Sequence, residues 1–166
     1  MNLVSSAFFS ILVNGSPASP FQSSWGIKQG DPLSPFLFII AAKGLGRILK
    51  NLQMENKIKG LTITEELEPQ THQQFVDDTM LMGMSTVKEA HGIKEGLDTF
   101  MEAIGLEINK TKSQVYFFNT LKIAKRNILR ILGFSEGRLP SKYLGAQLAE
   151  LTIRKVSWKE FLDKLK

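Results

Sequence analysis

The chain has 166 residues, of which 43% are apolar, and a formal net charge of +5. This length and composition predict one domain with a buried core. The sequence contains no cysteine, which excludes disulfide scaffolds, thiolate zinc sites and cysteine nucleophiles, and its two histidines are too few for an all-histidine metal cage. The longest apolar run, residues 36–42, is far shorter than the ~20 residues that span a bilayer, and we expect no signal peptide at the N-terminus.

The charge is divided unevenly along the chain. Residues 1–108 carry 8 basic and 12 acidic side chains, whereas residues 109–166 carry 13 basic and 4 acidic ones. A basic region of this size suits a polyanion, and nucleic acid is the commonest such partner. A lysine-rich surface that only contacts solvent explains the composition equally well, so both interpretations stay open.

The first third of the chain predicts a hairpin followed by a long helix. Residues 7–13 are apolar and predict a strand, Asn14-Gly15 predicts a tight turn, and residues 21–27 predict the returning strand. Asp31 before Pro32 is typical of a helix start, and the helix is expected to continue to about Met54. Its predicted buried stripe consists of Leu37, Ala41, Leu45, Ile48, Leu49 and Leu52.

The middle of the chain predicts a weak strand, a second hairpin and a second helix. Residues 58–64 alternate weakly in polarity, and an acidic loop follows over residues 65–70. Two apolar runs flank Asp77-Asp78 and predict a hairpin with this acidic pair at its turn. Thr86-x-x-Glu89 forms a capping box that opens a helix, and Gly105 is expected to close it.

The last third predicts alternating short elements. Strands are expected over residues 113–118 and 143–148, and a final helix near residues 157–165. Between them, residues 121–132 predict a basic amphipathic helix that Gly133 ends. Four cations of that helix could follow a phosphate backbone, or simply face solvent: Lys122, Lys125, Arg126 and Arg130.

The acidic pair Asp77-Asp78 is the first candidate site. Two adjacent carboxylates repel one another, and a divalent cation would remove that repulsion. Mg²⁺ typically uses one or two protein carboxylates together with water and phosphate oxygens. The alternative is a polar turn that happens to contain two aspartates.

The loop Lys28-Gln29-Gly30 before Asp31 is the second candidate site. It leads into a capped helix start, whose free N–H groups and partial positive charge suit a phosphate. Lys28 adds a cation, and Gln29 can both donate and accept hydrogen bonds at a sugar or a base edge. The alternative is a loop with a well-formed helix start and no ligand.

Four sequence blocks together resemble the reverse transcriptase of non-LTR (LINE-type) retrotransposons. In chain order they are Lys28-Gln29-Gly30-Asp31-Pro32-Leu33-Ser34-Pro35, Phe75-Val76-Asp77-Asp78, Gly105-Leu106-x-Ile108-Asn109-x-x-Lys112-Ser113 and Tyr143-Leu144-Gly145. They are similar to motifs B, C, D and E of that family and span nearly the whole chain. Val76 departs from the family pattern, in which a small residue commonly precedes the paired acids.

The resemblance implies transfer of deoxynucleotides to a primer 3′-hydroxyl by two Mg²⁺ ions. It implies that Asp77 ligates metal, that Asp78 supports the same site, and that Phe75 packs beside the primer end. Further roles are implied for the nucleotide and template pocket (Lys28, Gln29 and Gly30), the triphosphate (Lys110 or Lys112) and the primer backbone (Tyr143 to Gly145). The implied partners are an RNA template, a DNA primer and deoxynucleotides, in the nucleus or cytoplasm and without a membrane.

The resemblance also implies a fold, an α+β polymerase palm of ferredoxin-like β-α-ββ-α-β type. Its first strand carries motif A and another metal-ligating aspartate, and we expect this strand to be missing, because no aspartate precedes Asp31. The chain is accordingly expected to comprise a partial palm over residues 1–118 and, over residues 119–166, the motif E region and the start of a thumb or connection with a basic helical segment. The two are treated as one domain.

Three hypotheses about function follow. The chain is a palm fragment that is inactive alone, or it works together with the missing upstream part of the polymerase. The third hypothesis is a non-catalytic nucleic-acid-binding remnant that uses the basic C-terminal third. The coding sequence upstream of Met1 separates the first two, because an in-frame Phe-x-Asp-x-x-x-Ala-Phe-Asp-like stretch would supply motif A.

Overall fold

The computed structural model describes residues 8–22, 26 and 30–148. These residues form three helices and ten short strands, and each strand pairs with one other strand to give five two-stranded sheets. The helices are α1 (Ser34–Met54), α2 (Val87–Ile104) and α3 (Lys122–Leu132). The strands are β1 (Phe8–Phe9), β2 (Leu12–Val13), β3 (Ser16–Pro17), β4 (Phe21–Gln22), β5 (His72–Phe75), β6 (Asp78–Leu81), β7 (Gln114–Val115), β8 (Ser135–Glu136), β9 (Ser141–Tyr143) and β10 (Ala146–Leu148). The chain divides into two compact units, Met1–Lys43 and Gly44–Lys166.

The first unit contains the predicted hairpin. Strands β2 and β3 pair across the turn Asn14-Gly15, whose φ values of 51° and 81° are the left-handed values that these two residue types tolerate. Strands β1 and β4 continue the same antiparallel pairing after a break. Residues 18–20 of the returning strand lie opposite only residues 10–11 of the first. That extra residue is a bulge, so the single strand predicted over residues 7–13 is divided.

Helix α1 begins where its capping residue places it. The Asp31 carboxylate accepts a hydrogen bond from the Leu33 amide at 2.8 Å, so Pro32 and Leu33 form a turn before the helix. The helix therefore starts at Ser34, two residues after the predicted start, and ends at Met54 as predicted. The Asp31 side chain thus satisfies an amide that lacks a helical partner, from two residues ahead of the N-cap position, which is Leu33.

The core of the second unit lies between α1 and α2. Leu45, Leu49 and Leu52 of α1 are buried together with Leu97 of α2 and with Ile58. A second cluster joins Ala90 of α2 to Phe117 and to Ile128 and Leu132 of α3. Both clusters follow from apolar residues at helical spacing, which gives each helix one buried stripe.

Helix α2 begins with only half of the predicted capping box. The Thr86 hydroxyl accepts a hydrogen bond from the Glu89 amide at 3.2 Å, as the motif requires. The Glu89 carboxylate does not return to Thr86, because it accepts the backbone N–H groups of Lys59 at 2.9 Å and Gly60 at 2.8 Å. Glu89 is only 3% exposed, so a side chain expected to cap a helix instead fastens a distant loop.

Three further predicted strands differ from the structure, and the one expected over residues 113–118 is only the two-residue β7. Residues 58–64 form no strand but a loop with one isolated bridge, Leu61 to Gln70, since the amides at the start of this segment bond to Glu89. Residues 143–148 are not one strand, because β9 and β10 form a hairpin whose turn is Leu144-Gly145. The helix expected near residues 157–165 lies outside the described residues.

The described residues thus form a mixed α and β structure of three helices and small sheets. The ferredoxin-like arrangement and the domain boundary at residues 118/119 remain predictions. In the part of the chain that the structure describes, no helix has both the length and the apolar content that crossing a membrane requires.

Candidate functional site

The acidic pair lies at the tip of the β5–β6 hairpin. Phe75 pairs with Asp78 across the hairpin, which leaves Val76 and Asp77 as its two turn residues. The turn is therefore shifted by one residue from the predicted Asp77-Asp78, and Asp78 is the first residue of β6. Both aspartates are exposed, so their carboxylates can reach a ligand in solvent.

Val76 adopts a strained backbone at this tip. Its φ of 52° lies in the left-handed region, which a β-branched side chain rarely adopts. A positive φ at the first of two hairpin turn residues is the conformation for which glycine is preferred. The structure thus stores strain directly beside Asp77, and such strain is concentrated at functional sites.

The two carboxylates match the donor preference of a hard divalent cation. Mg²⁺ is bound through one or two carboxylates plus water and phosphate oxygens, and the exposed pair Asp77 and Asp78 supplies oxygen donors of that kind. Among the residues that the structure describes, no three or more histidine, cysteine, aspartate or glutamate side chains cluster as a metal cage would need. The pair can therefore supply part of a metal site but not a complete protein cage.

The base of the same hairpin is packed and hydrogen-bonded. The Met82 amide donates to the Thr71 carbonyl at 2.8 Å, and the His72 Nδ1 lies 3.0 Å from the Thr71 hydroxyl. The His72 ring also lies against Gly46 of α1, where an added Cβ would be only 2.9 Å from its Nε2. Burial lowers the pKa of His72 below its ordinary value of 6.5, which favours the neutral ring.

Tyr143 connects the hairpin β9–β10 to the acidic hairpin. Its hydroxyl lies 3.5 Å from the carbonyl oxygens of both Gln73 and Asp78, at the long limit of a hydrogen bond. Burial, with a smaller contribution from the charge of Asp78, raises the pKa of Tyr143 above its ordinary value of 10.0. The phenol consequently stays a donor at neutral pH, and the structure brings Tyr143 together with the acidic pair.

The turn of the hairpin β9–β10 also has an unusual backbone. Leu144 has a φ of 49° and Gly145 a φ of 83°, so a leucine adopts the left-handed conformation here. The sequence did not predict this turn, because a leucine at its first position carries none of the usual turn signal.

Lys110 and Lys112 lie on a turn that Asn109 organises. The Asn109 side-chain oxygen accepts the amides of Thr111 at 3.1 Å and Lys112 at 3.2 Å, and the Thr111 hydroxyl at 2.6 Å. Both lysines are exposed. The sequence singled out the lysines but missed the role of Asn109, although asparagine is a typical turn residue that bonds the backbone two residues on.

The four basic residues predicted on α3 have different surroundings. Lys125 forms an ion pair with Glu136 at 2.8 Å and lies 5.3 Å from the centre of the Phe117 ring. Lys122, Arg126 and Arg130 are exposed. The sequence grouped all four, and only the structure separates the one that is held from the three that face solvent.

The second predicted site is described only in part. Lys28 and Gln29 lie outside the described residues. Gly30 has a φ of 82° and belongs to the unit Met1–Lys43, whereas Asp77 and Asp78 belong to the other unit.

The amino-acid sequence matches a family model over most of its length. The family model described as reverse transcriptase (RNA-dependent DNA polymerase) matches residues 2–148. The chain belongs to the reverse transcriptase family. The acidic hairpin, the Asn109 turn, α3 and the β9–β10 hairpin of this reverse transcriptase chain all lie within the matched residues.

One curated relative is similar to this reverse transcriptase chain over a shorter segment. It is a mitochondrial protein of Arabidopsis thaliana that is described as uncharacterized, and it is 34% identical over 68 residues. The aligned segment covers 41% of this chain and 56% of that protein, so the chain spans about half the length of the relative. No solved structure matches the chain.

Proposed function

We propose that this chain is part of the palm of an RNA-directed DNA polymerase of the non-LTR, LINE-type retrotransposon class. The observation that carries the proposal is the exposed acidic pair on a strained hairpin turn, inside the segment that matches reverse transcriptases. The ferredoxin-like β-α-ββ-α-β palm is the fold that goes with this proposal. The order of the four sequence blocks supports the retrotransposon class.

In the proposed reaction, Asp77 ligates metal and Asp78 supports the same site. When bound, a pair of Mg²⁺ ions would activate the primer 3′-hydroxyl and stabilise the leaving pyrophosphate. The turn itself contributes a fixed position, because the pairing of Phe75 with Asp78 holds Asp77 at the tip. The Tyr143 hydroxyl lies 3.5 Å from the carbonyls of Gln73 and Asp78, beside the proposed metal site.

The remaining predicted residues would bind the substrates. Lys28, Gln29 and Gly30 are proposed for the nucleotide and template pocket, with Phe75 beside the primer end. Phe75 is 59% exposed, which leaves its ring accessible to a primer. Lys110 or Lys112 is proposed for the triphosphate, because the Asn109 turn holds both lysines at the surface.

The proposal includes a dependence on a further carboxylate. The family resemblance assigns an additional metal-ligating aspartate to a strand upstream of the blocks found here. We therefore expect the 166-residue chain to extend no primer by itself, and a polypeptide that also supplies this upstream strand to extend one.

Primer extension on an RNA template with Mg²⁺ tests this function. The chain alone is compared with the in-frame polypeptide extended upstream, each also with Asp77→Asn. Because metal-bound oxygens contribute several kcal/mol to such a transition state, Asp77→Asn is expected to lower extension by the longer polypeptide about 100-fold or more. Extension by the chain alone that Asp77→Asn abolishes would show that the third carboxylate is dispensable, and extension insensitive to Asp77→Asn would contradict the role of the turn.

Metal binding can be tested on the chain itself. Paramagnetic Mn²⁺ replaces Mg²⁺ and should broaden the backbone NMR signals of Phe75 and Val76 before others. Asp77→Asn with Asp78→Asn should remove this broadening, whereas Glu65→Gln with Glu66→Gln on the exposed acidic loop should retain it. Equal broadening in both variants would count against a metal site at the hairpin tip.

A further inference from the structure

Glu89 is a buried carboxylate near the start of α2. It is 3% exposed, and a charge that is withdrawn from water in this way needs hydrogen bonds to compensate for its lost hydration. A single oxygen, Oε1, accepts two such bonds, from the backbone amides of Lys59 at 2.9 Å and Gly60 at 2.8 Å. The carboxylate therefore joins α2 to a distant part of the chain.

Gly60 leads directly to the base of the acidic hairpin. The next residue, Leu61, exchanges two backbone hydrogen bonds with Gln70, at 2.8 and 2.9 Å. Gly60 is so close to the Gln70 carbonyl that an added Cβ would be 2.7 Å from its oxygen. Thr71 follows, and its carbonyl accepts the Met82 amide at 2.8 Å across the base of the hairpin. The bonds that fix Gly60 thus also fix the strand that enters the hairpin.

The chain that leaves the hairpin meets the same carboxylate. Gly83 comes two residues after the end of β6, and a Cβ added there would be 2.9 Å from Oε1 of Glu89. Glycine allows this close approach of the backbone to a side chain. Glu89 accordingly contacts the chain on both sides of the hairpin, through Gly60 before it and against Gly83 after it.

The part of α2 that carries Glu89 is closely packed. Ala90, the next residue, is buried in the second core cluster. Gly92 lies so close to Ile58 that an added Cβ would be 2.6 Å from its Cγ2. A two-stranded hairpin is only marginally stable by itself in water, so its direction depends on contacts of this kind with a packed element.

The direction of the hairpin determines where its acidic tip lies. Val76 at the turn is the fifth residue after Thr71 at the base, which places the tip about 16 Å from the base at the usual rise of a strand. A rotation of about 10° at the base would move the tip by about 3 Å over that length. Misplacing reacting groups by only about 1 Å can lower a rate about 100-fold.

We propose that Glu89 is a positioning residue for the acidic hairpin, whose carboxylate sets where Asp77 and Asp78 lie relative to α2. Glu89 contacts no substrate and acts through the backbone at Gly60 and Gly83. The consequence for the reaction rests on the proposed function of the two aspartates, whereas the direction of the hairpin can be measured without it.

Double electron–electron resonance on the full chain tests this role. Because the sequence contains no cysteine, Thr79→Cys on β6 and Ala103→Cys on α2, both at exposed positions, can carry two nitroxide labels. Thr79 pairs with Gln74 about 10 Å from the base, so a hairpin freed by Glu89→Leu should broaden the distance distribution by about 2 Å. Glu89→Gln retains a side-chain oxygen that can accept both amides and should keep the distribution narrow.

Two further variants separate position from stability. Thr86→Ala removes the hydroxyl that accepts the Glu89 amide, so it weakens the same helix end but leaves the bonds of the Glu89 carboxylate in place. Its distribution should stay narrow, and broadening equal to that of Glu89→Leu would overturn the proposal. Gly83→Ala presses a Cβ against Oε1 and should broaden the distribution less than Glu89→Leu. A narrow distribution in Glu89→Leu, or in Gly83→Ala if Glu89→Leu does not fold, also overturns the proposal.

Mn²⁺ binding distinguishes this role from the proposed function. Asp77 and Asp78 are both part of the hairpin, so Mn²⁺ should still broaden the NMR signals of Phe75 and Val76 first in Glu89→Leu. A wide distance distribution in Glu89→Leu, with no Mn²⁺ bound at the tip of the unchanged chain, would support the positioning by Glu89 and contradict the metal site. A narrow distribution with Mn²⁺ bound at the tip would contradict the positioning alone.

Discussion

The hairpins β2–β3 and β5–β6 both have two-residue turns, but only the first has residues that tolerate the left-handed backbone of its turn. Asn14-Gly15 adopts left-handed φ values with residues that tolerate them, whereas Val76 adopts such a value against its side-chain preference. Every residue of β2–β3 is exposed, while the base of β5–β6 is packed through His72 and bonded through Thr71. A strained turn persists only where its surroundings enforce it, so the anchored base is what allows the acidic tip.

The largest expected effect concerns that anchored base. Ala at Gly46 would place a Cβ 2.9 Å from the His72 ring, whereas Ala at Gly44 would meet Phe100 at an ordinary 3.8 Å. Both changes share the same gain in helix propensity, so Gly46→Ala should be less stable than Gly44→Ala by about 2 kcal/mol because of overpacking. Urea unfolding of the two variants measures this difference, and equal stabilities would mean that the ring does not anchor the hairpin.

The next effect comes from placing an unfavourable residue in the turn of the β2–β3 hairpin. Gly15→Val places a β-branched residue at a φ of 81° in a hairpin with no packed base. We expect it to raise the free energy of that turn by about 1–2 kcal/mol and to open the hairpin. Amide hydrogen exchange at Val13 and Ser16 reports the opening, with Gly15→Asn as the tolerated control.

Placing a favourable residue in the turn of the β5–β6 hairpin is expected to change stability less. Val76→Gly releases the strain at φ 52° but gives the unfolded chain more freedom. The net result should be a stabilisation of about 1 kcal/mol or less, measured by thermal unfolding. Val76→Ala should give a smaller gain, and a loss of stability in Val76→Gly would show that the turn carries no strain.

The smallest effect is a dependence on pH. Because burial lowers the pKa of His72 in the folded chain below its ordinary 6.5, the unfolded chain binds the proton more readily. The contribution of His72 to stability is therefore complete above pH 6.5 and is lost as the pH falls below it. Urea midpoints at pH 7.5 and 5.5 should differ less in His72→Asn than in the unchanged chain, and an equal difference in the two would contradict this role of His72.

Local signals predicted the elements that depend on neighbouring residues. Asn14-Gly15, Gly105 and Gly133 were found because each conformation follows from the residue itself, and the structure confirms a turn and two helix ends there. The acidic hairpin was also predicted, with its turn misplaced by one residue, since the two apolar runs that flank the acidic pair are local.

Long-range contacts were beyond the reach of the sequence pattern. Glu89 matches a capping box, and nothing nearby indicates that it bonds to Gly60, 29 residues away. For the same reason residues 58–64 were expected to be a strand. The turn at Leu144 was not predicted because leucine rarely adopts a left-handed backbone. The ion pair between Lys125 and Glu136 was not predicted because it depends on how α3 packs against β8.

The bonds from Glu89 to Lys59 and Gly60 have one more consequence. They hold the two ends of the segment 61–88 together, and this segment contains the acidic hairpin. An insertion within residues 61–88 lengthens this segment while its two ends stay hydrogen-bonded through Glu89. Evolution can thus rework the surroundings of the paired acids while the scaffold of α1 and α2 stays in place.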